Sequence, residues 1–373
     1  MRRVLERITA APGVQPLRIF PLLLPVWAVH VKSIVRETQT YEVFDRYLSR
    51  AIATAGLRDP TALADFFAVE PALVERALRF LETIGHLRRD DGNLSLTEIG
   101  MRSVADGQRY VLKEDRQILY FDGFSGAPFP KVHYGPAGSW IDRPELTVSG
   151  VRFQPVESLS PFRIEAVADL ARRSDREEFN LPSALTSVEP LDLNKVWLPA
   201  YVVECVSGLQ VFVKAVTEAD PYLQELLTPY LLEALQAEKP ADDVSVWSQW
   251  LDAKGYPDAK LVRQPNRILR VSLPAEAFGT RMQWWQLGSF ETRERTFLQL
   301  WGDEESRRRA VLARVSDAVT RRGVRDRAAL EQRMAEISKQ LEVTTPSIAD
   351  LERYAREDGD EALAAMLKAA SSR

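Results

Sequence analysis

An α+β protein is the fold class this sequence predicts, on three observations. Apolar residues recur at helical spacing through Tyr41–Ile84. β-Branched and aromatic residues fill Phe20–Ile34 and recur through Lys195–Val216. From residue 291 onward the chain is highly charged, with apolar stripes such as Val311, Leu312, Val315 and Val319. The expected layout is an N-terminal helical domain with a small hairpin, a mixed α/β middle domain and a charged helical C-terminal region.

Residues 1–39 read as a basic arm and an extended segment. Arg2, Arg3 and Arg7 make the start basic, and the prolines Pro21 and Pro25 place the Phe20–Ile34 strand at a sheet edge. Residues 40–106 carry the helical pattern treated below. Residues 107–145 read as a β-hairpin and loop. Tyr110-Val111-Leu112 and Gln117–Phe121 flank a polar turn, Lys113-Glu114-Asp115-Arg116, before a loop rich in Gly, Pro and Phe. Residues 146–290 read as a mixed α/β domain. It has a helix over Pro161–Arg173 and two strands, Lys195–Val206 and Leu209–Val216, turned at Ser207-Gly208. A helix over Pro221–Glu238 shows Leu223, Leu226, Leu227, Leu231 and Leu235 on one face, with a kink expected at Pro229. Leu261–Leu273 reads as strand. Residues 291–373 form the charged helical region.

The chain has 373 residues, enough for two or three domains. Its net charge is −4, so it is no general DNA coat, and any nucleic-acid surface is a local patch. Cys205 is the single cysteine and lies in an apolar run, Tyr201–Val206. It reads as a buried structural thiol, and the lack of disulfide chemistry suits a reducing cytoplasm. The apolar stretch Ile19–Trp27 is broken by two prolines and lies away from the basic start, so no signal peptide is expected. No segment approaches the ~18 apolar residues of a membrane span.

The residues 40–106 are the most informative. Tyr41–Ile52 is amphipathic and Gly56 ends it. Asp59-Pro60 or Thr61 opens a short second helix, Ala62–Phe67. Pro71 starts a third helix, which buries Leu73 or Val74 with Ala77, Leu78, Leu81 and Ile84. His86–Arg89 runs out as a strand, Asp90-Asp91-Gly92-Asn93 turns it, and Leu94-Ser95-Leu96 returns. Thr97 caps a helix that begins Glu98-Ile99-Gly100. The phrases Leu81–Leu87 and Leu94–Gly100, joined by that turn, resemble the ending of the winged helix-turn-helix superfamily of bacterial regulators. The resemblance covers about 65 residues. It implies a third helix that enters the DNA major groove and a wing that touches phosphate.

On that resemblance Arg76, Arg79, Arg88 and Arg89 are the DNA-binding candidates, supported by Arg2, Arg3 and Arg7. From Arg36 to Asp106, however, 12 acids stand against 9 bases, which also suits a winged helix that docks protein. Candidate interface residues are Phe124 and Phe129 in the Phe-rich loop, and Arg307, Arg308, Arg314 and Arg321 on the Arg-rich helix.

Other constellations carry less. His30-Val31-Lys32 lacks the partner residues of a phosphodiesterase centre, and no Cys or His spacing supports a zinc site. No phosphate-binding glycine loop or nucleophile elbow is present. Glu204, Glu218 and Asp220 are the carboxylates a divergent metal-dependent nuclease would use. The tryptophans Trp247, Trp250, Trp284, Trp285 and Trp301 read as core. The expectation is a non-enzymatic winged-helix protein without metal or cofactor that contacts double-stranded DNA, as a regulator or as a subunit of a DNA-associated complex. The alternative is an accessory subunit of a multi-protein system, such as phage defence, whose winged helix binds protein. No membrane partner is expected, and a homodimer fits either reading.

Overall fold

The computed structural model describes residues 1–11, 13–90, 93–134, 140–142, 147–148, 151–157, 161–213, 218–278, 282–322 and 326–371. The fold is mixed α and β, of α+β character. The largest sheet has the strand order Arg109–Asp122, Pro16–Gln39, Leu185–Cys205, Gly208–Val213, with Gln154–Pro155 beside Pro16–Gln39 off that path. The chain divides into two compact units. One comprises Met1–Leu24, Pro136–Val156 and Trp197–Arg373; the other comprises Pro25–Gly135 and Glu157–Val196.

In the first unit the expected basic arm is instead a helix, Arg2–Ala10. Leu5 and Ile8, one turn apart, are buried against Ile19, Phe212, Phe290 and Phe297. That apolar pair drives the segment into a docked helix despite its charge. A four-stranded sheet lies beyond it, ordered Leu261–Arg263, Leu269–Ser272, Thr296–Trp301, Phe290–Arg293. Leu269, Val271, Leu298 and Leu300 join the main core with Trp247, Trp250 and Trp301 and the helices that follow residue 303. Those tryptophans are core, as expected, whereas Trp285 is exposed beneath Arg2. The Leu185–Cys205 and Gly208–Val213 strands pair from Ala200–Val213 to Cys205–Gly208, the expected hairpin; Val216 lies outside the described residues. Helix Pro221–Ala237 is capped by Asp220, buries Leu223, Leu227, Leu231 and Leu235, and runs on past Pro229.

In the second unit Arg109–Asp122 is one continuous strand, paired antiparallel with Val26–Gln39. This corrects the hairpin expected at 107–145. Lys113–Arg116 looks like a turn only when the partner strand is unseen. In place, Lys113 pairs with Glu37 at 2.9 Å and Glu114 with Lys32 at 3.2 Å, so the polar run is the charged surface of an edge strand. Pro16–Gln39 is correspondingly an inner strand rather than an edge strand. Its prolines, Pro16, Pro21 and Pro25, precede the antiparallel ladder with Arg109–Asp122 that begins at Val26, so no bond of that ladder needs their missing N–H.

Residues 43–106 of this unit follow the expected order of helices and hairpin. Helix Val43–Arg50 continues as a π turn, Ala51–Ala55, and ends at Gly56 with φ +67°. Asp59 caps helix Pro60–Phe67 through the Ala62 N–H at 2.8 Å. Helix Pro71–Thr83 begins at a proline and leads into the antiparallel hairpin Leu87–Asp90/Asn93–Leu96; Asp91 and Gly92 lie outside the described residues. Thr97 caps helix Glu98–Asp106. Leu48, Ile52, Leu63, Val74, Leu78, Leu81, Leu87 and Leu94 form the shared core. Gly100 passes so close to this hairpin that a Cβ there would lie 2.2 Å from the His86 carbonyl oxygen.

Candidate docking face

Helix Pro71–Thr83 is amphipathic by position. Val74, Ala77, Leu78 and Leu81 are buried, which leaves Glu75, Arg76, Arg79, Thr83, Phe80 and Leu73 along the opposite arc. Between Leu73 and Val74, left open by the sequence, Val74 takes the core position. Leu73 is 47% exposed and Phe80 39%, and Phe66 on the preceding helix is 62% exposed. Leu73, Arg76 and Phe80 follow i, i+3, i+7 spacing, so apolar and cationic groups share one face. The Arg109 guanidinium lies 5.4 Å from the centre of the Phe80 ring and donates to Gln39 at 2.8 Å.

The four candidate arginines of this helix and hairpin, Arg76, Arg79, Arg88 and Arg89, behave differently. Arg89 pairs with Glu75 at 2.8 Å and Glu82 at 3.4 Å, which ties the hairpin to the third helix. Its charge is answered within the chain. Arg88, its neighbour on the opposite side of the strand, is exposed, as are Arg76 and Arg79. Arg79 donates to the Glu75 carbonyl at 3.4 Å.

A buried polar cluster ties His86 to the helix and strand that follow the hairpin. The His86 ring nitrogen Nε2 lies 2.5 Å from the Tyr110 carbonyl, and Ser103 accepts from the Tyr110 N–H at 3.1 Å. Burial holds the His86 imidazole below its ordinary pKa. Burial pushes the nearby Asp45 carboxyl up.

Most of the other expected contact residues are paired or buried. Arg2, Arg3 and Arg7 belong to the other unit. Arg2 pairs with Glu291 at 2.7 Å and Arg7 with Glu218 at 2.9 Å, while Arg3 is exposed. Phe124 and Phe129 are buried rather than presented, at 5% and 1% exposure. Their loop is gathered by the buried Asp122 carboxylate, which accepts from the Phe124, Ser125 and Ala127 N–H groups and from the Ser125 hydroxyl. Arg307 donates to the Leu341 and Glu342 carbonyls, Arg308 pairs with Glu304, and Arg314 donates to the Leu287 carbonyl. The Arg321 side chain lies outside the described residues.

The carboxylates considered for a nuclease are not brought together as a free set. Glu204 pairs with Arg18, Glu218 with Arg7, and Asp220 caps a helix. Among the described residues no group of three His, Cys, Asp or Glu side chains is placed to hold a metal ion. Cys205 is buried and its thiol is pushed up to about 12, mainly by that burial. Among the described residues no helix is long and apolar enough to cross a membrane.

The sequence reading overlooked Leu73, Phe80 and Phe66 as surface groups. The signal was present: Leu73 and Phe80 are seven residues apart on the arc opposite Leu78. No family model, no curated protein and no solved structure matches this chain.

Proposed function

We propose that residues 40–106 form a winged helix-turn-helix, and that the protein is a non-enzymatic accessory subunit of a multi-protein system whose third helix docks a protein partner. The partner presents an apolar patch rimmed by carboxylates. One observation carries this reading: Leu73 and Phe80 stand exposed beside Arg76 and Arg79 on a single helix face. An exposed apolar pair flanked by arginines has the composition of an interface centre and its rim. Pairing of Arg89 with Glu75 and Glu82, and the acidic surplus of the region, both weaken the phosphate-binding character of the same surface.

The test is retention of a co-purifying partner from the source cell by the full chain and by a Leu73→Ser/Phe80→Ser variant. The variant is expected to keep its Tm, because both groups are exposed, and to lose the partner. Equal retention by the two proteins overturns the reading.

Arg76, Arg79 and Arg88, exposed and without an ion pair among the described residues, favour a second reading in which the face contacts duplex DNA. In that case an Arg76→Ala/Arg79→Ala/Arg88→Ala variant loses duplex binding. The salt dependence of log K also falls by about 0.9 per phosphate contact removed. Leu73→Ser/Phe80→Ser would then leave duplex binding unchanged.

A further inference from the structure

In the first unit the hairpin Phe290–Arg293/Thr296–Trp301 turns through Glu294 and Arg295, both in the left-handed region at φ +44° and +67°. Asn-Gly is the usual filler of such a turn, because side chains at these φ values crowd the backbone. Two long charged residues are held here instead. Strained backbone of this kind is kept where the surroundings fix it and where a side chain must be aimed.

Three cations, Arg18, Lys239 and Arg295, gather around this turn with the carboxylates of Glu204, Glu238 and Glu294. Arg295 donates to Gln154 at 3.0 Å and pairs with Glu238. Arg18 is almost wholly buried; it donates to Glu204 at 2.6 Å and to the carbonyls of Glu238 and Leu235 at the end of helix Pro221–Ala237. The two guanidiniums lie 5.2 and 5.0 Å from the centre of one ring, Phe20. A cavity of about 210 Å³ opens between them, lined by Arg18, Lys239, Pro240, Ala241, Glu294 and Arg295. Three cations and one carboxylate therefore face it. Three of the five Arg18 N–H donors are spent on the contacts above, and Lys239 brings three more with no ion pair among the described residues. Burial and the Arg18 charge together hold the Arg295 guanidinium below its ordinary pKa. An anion in the cavity would relieve that repulsion.

We propose that this cavity is a binding site for a tetrahedral phosphate dianion, either inorganic phosphate or the terminal group of a phosphate monoester, held by Arg18, Arg295 and Lys239. Its volume suits such a group and is below the range of drug-sized ligand pockets. Arginine forks and a lysine point charge are the groups that recognise phosphate. Glu294 opposes the dianion and sets its affinity. The site is independent of the docking face and stands or falls separately.

The experiment is calorimetric titration of the full chain with inorganic phosphate and, in a second arm, with glycerol 3-phosphate, at constant ionic strength set by chloride. Lys239→Ala is expected to weaken binding about tenfold, the loss of one charge-assisted contact. Glu294→Gln is expected to tighten it, a gain that misfolding cannot mimic. Binding of either probe with this pattern supports the site, and the tighter probe names the source of the phosphate. Absence of saturable binding by both probes, or binding indifferent to both substitutions, overturns it.

Discussion

Two helices carry most of the arginines marked as contact residues, and they treat them in opposite ways. Helix Glu304–Arg322 answers its described arginines within the chain. Arg307 reaches the carbonyls of Leu341 and Glu342 at the end of helix Arg327–Gln340, Arg308 meets Glu304, and Arg309 meets Glu357 and Asp358. Arg314 is held well inside and donates to Leu287 at 2.8 Å. Helix Pro71–Thr83 leaves Arg76 and Arg79 in solvent beside exposed Leu73 and Phe80. Arginine content is therefore a poor guide to an interface. What distinguishes the two helices is the supply of acceptors: carboxylates at i±4 and the carbonyls of a neighbouring helix end saturate the first, while the acids of the second are taken by Arg89.

That contrast can be broken or sharpened by substitution. The largest effect is expected at the scaffold of the docking face. Gly100→Ala places a Cβ 2.2 Å from a backbone oxygen, so the hairpin or the helix must shift. Urea unfolding should show a loss of roughly 3 kcal/mol. Arg314→Ala should cost roughly 2 kcal/mol by the same measurement, because it removes a charge-assisted hydrogen bond and leaves the Leu287 carbonyl without that donor.

A smaller effect is tied to pH. Burial depresses the His86 pKa below 6.5, so the unfolded chain takes up a proton first as pH falls through 6.5. His86 therefore costs no stability above pH 6.5, and stability declines below it, by up to about 1.4 kcal/mol per pH unit until the folded-state pKa is reached. Asp45 has the opposite sign: its raised pKa makes the folded chain bind the proton first, in the acid range above 3.8. Denaturation series at several pH values should show the decline just below pH 6.5 in the wild type and not in His86→Gln.

Arg89→Ala comes next, at about 1 kcal/mol or less, because its ion pairs are partly exposed. Arg76→Ala and Arg79→Ala should change stability by less than about 0.5 kcal/mol. A stability cost at Arg76 as large as that at Arg314 would erase the distinction between the two helices.

Much of the helical order in residues 43–106 was legible, because its punctuation is chemical. Gly56, Asp59-Pro60, Pro71 and Thr97 each have a local reason to stand where they do. The Pro16–Gln39 strand was legible in its β-branched content, although not in its place within the sheet. Other features depend on partners distant in the chain. Lys113–Arg116 reads as a turn until Lys32 and Glu37 are set beside it. Arg18 gives no hint that its carboxylate is Glu204. Arg307 likewise does not announce that its acceptors are Leu341 and Glu342. The docking face fell between these cases. The spacing of Leu73 and Phe80 was readable, but the choice of Val74 over Leu73 for the core was settled by packing.

The central claim is that Phe80 meets a protein. It is tested most directly by replacing Phe80 with a photo-crosslinking phenylalanine derivative in the source cell, with the same derivative at Met366, which is equally exposed, as the control. The account predicts one discrete protein adduct from position 80 and none of that mass from position 366. Adducts to nucleic acid at position 80, or the same protein adducts from both positions, would contradict it.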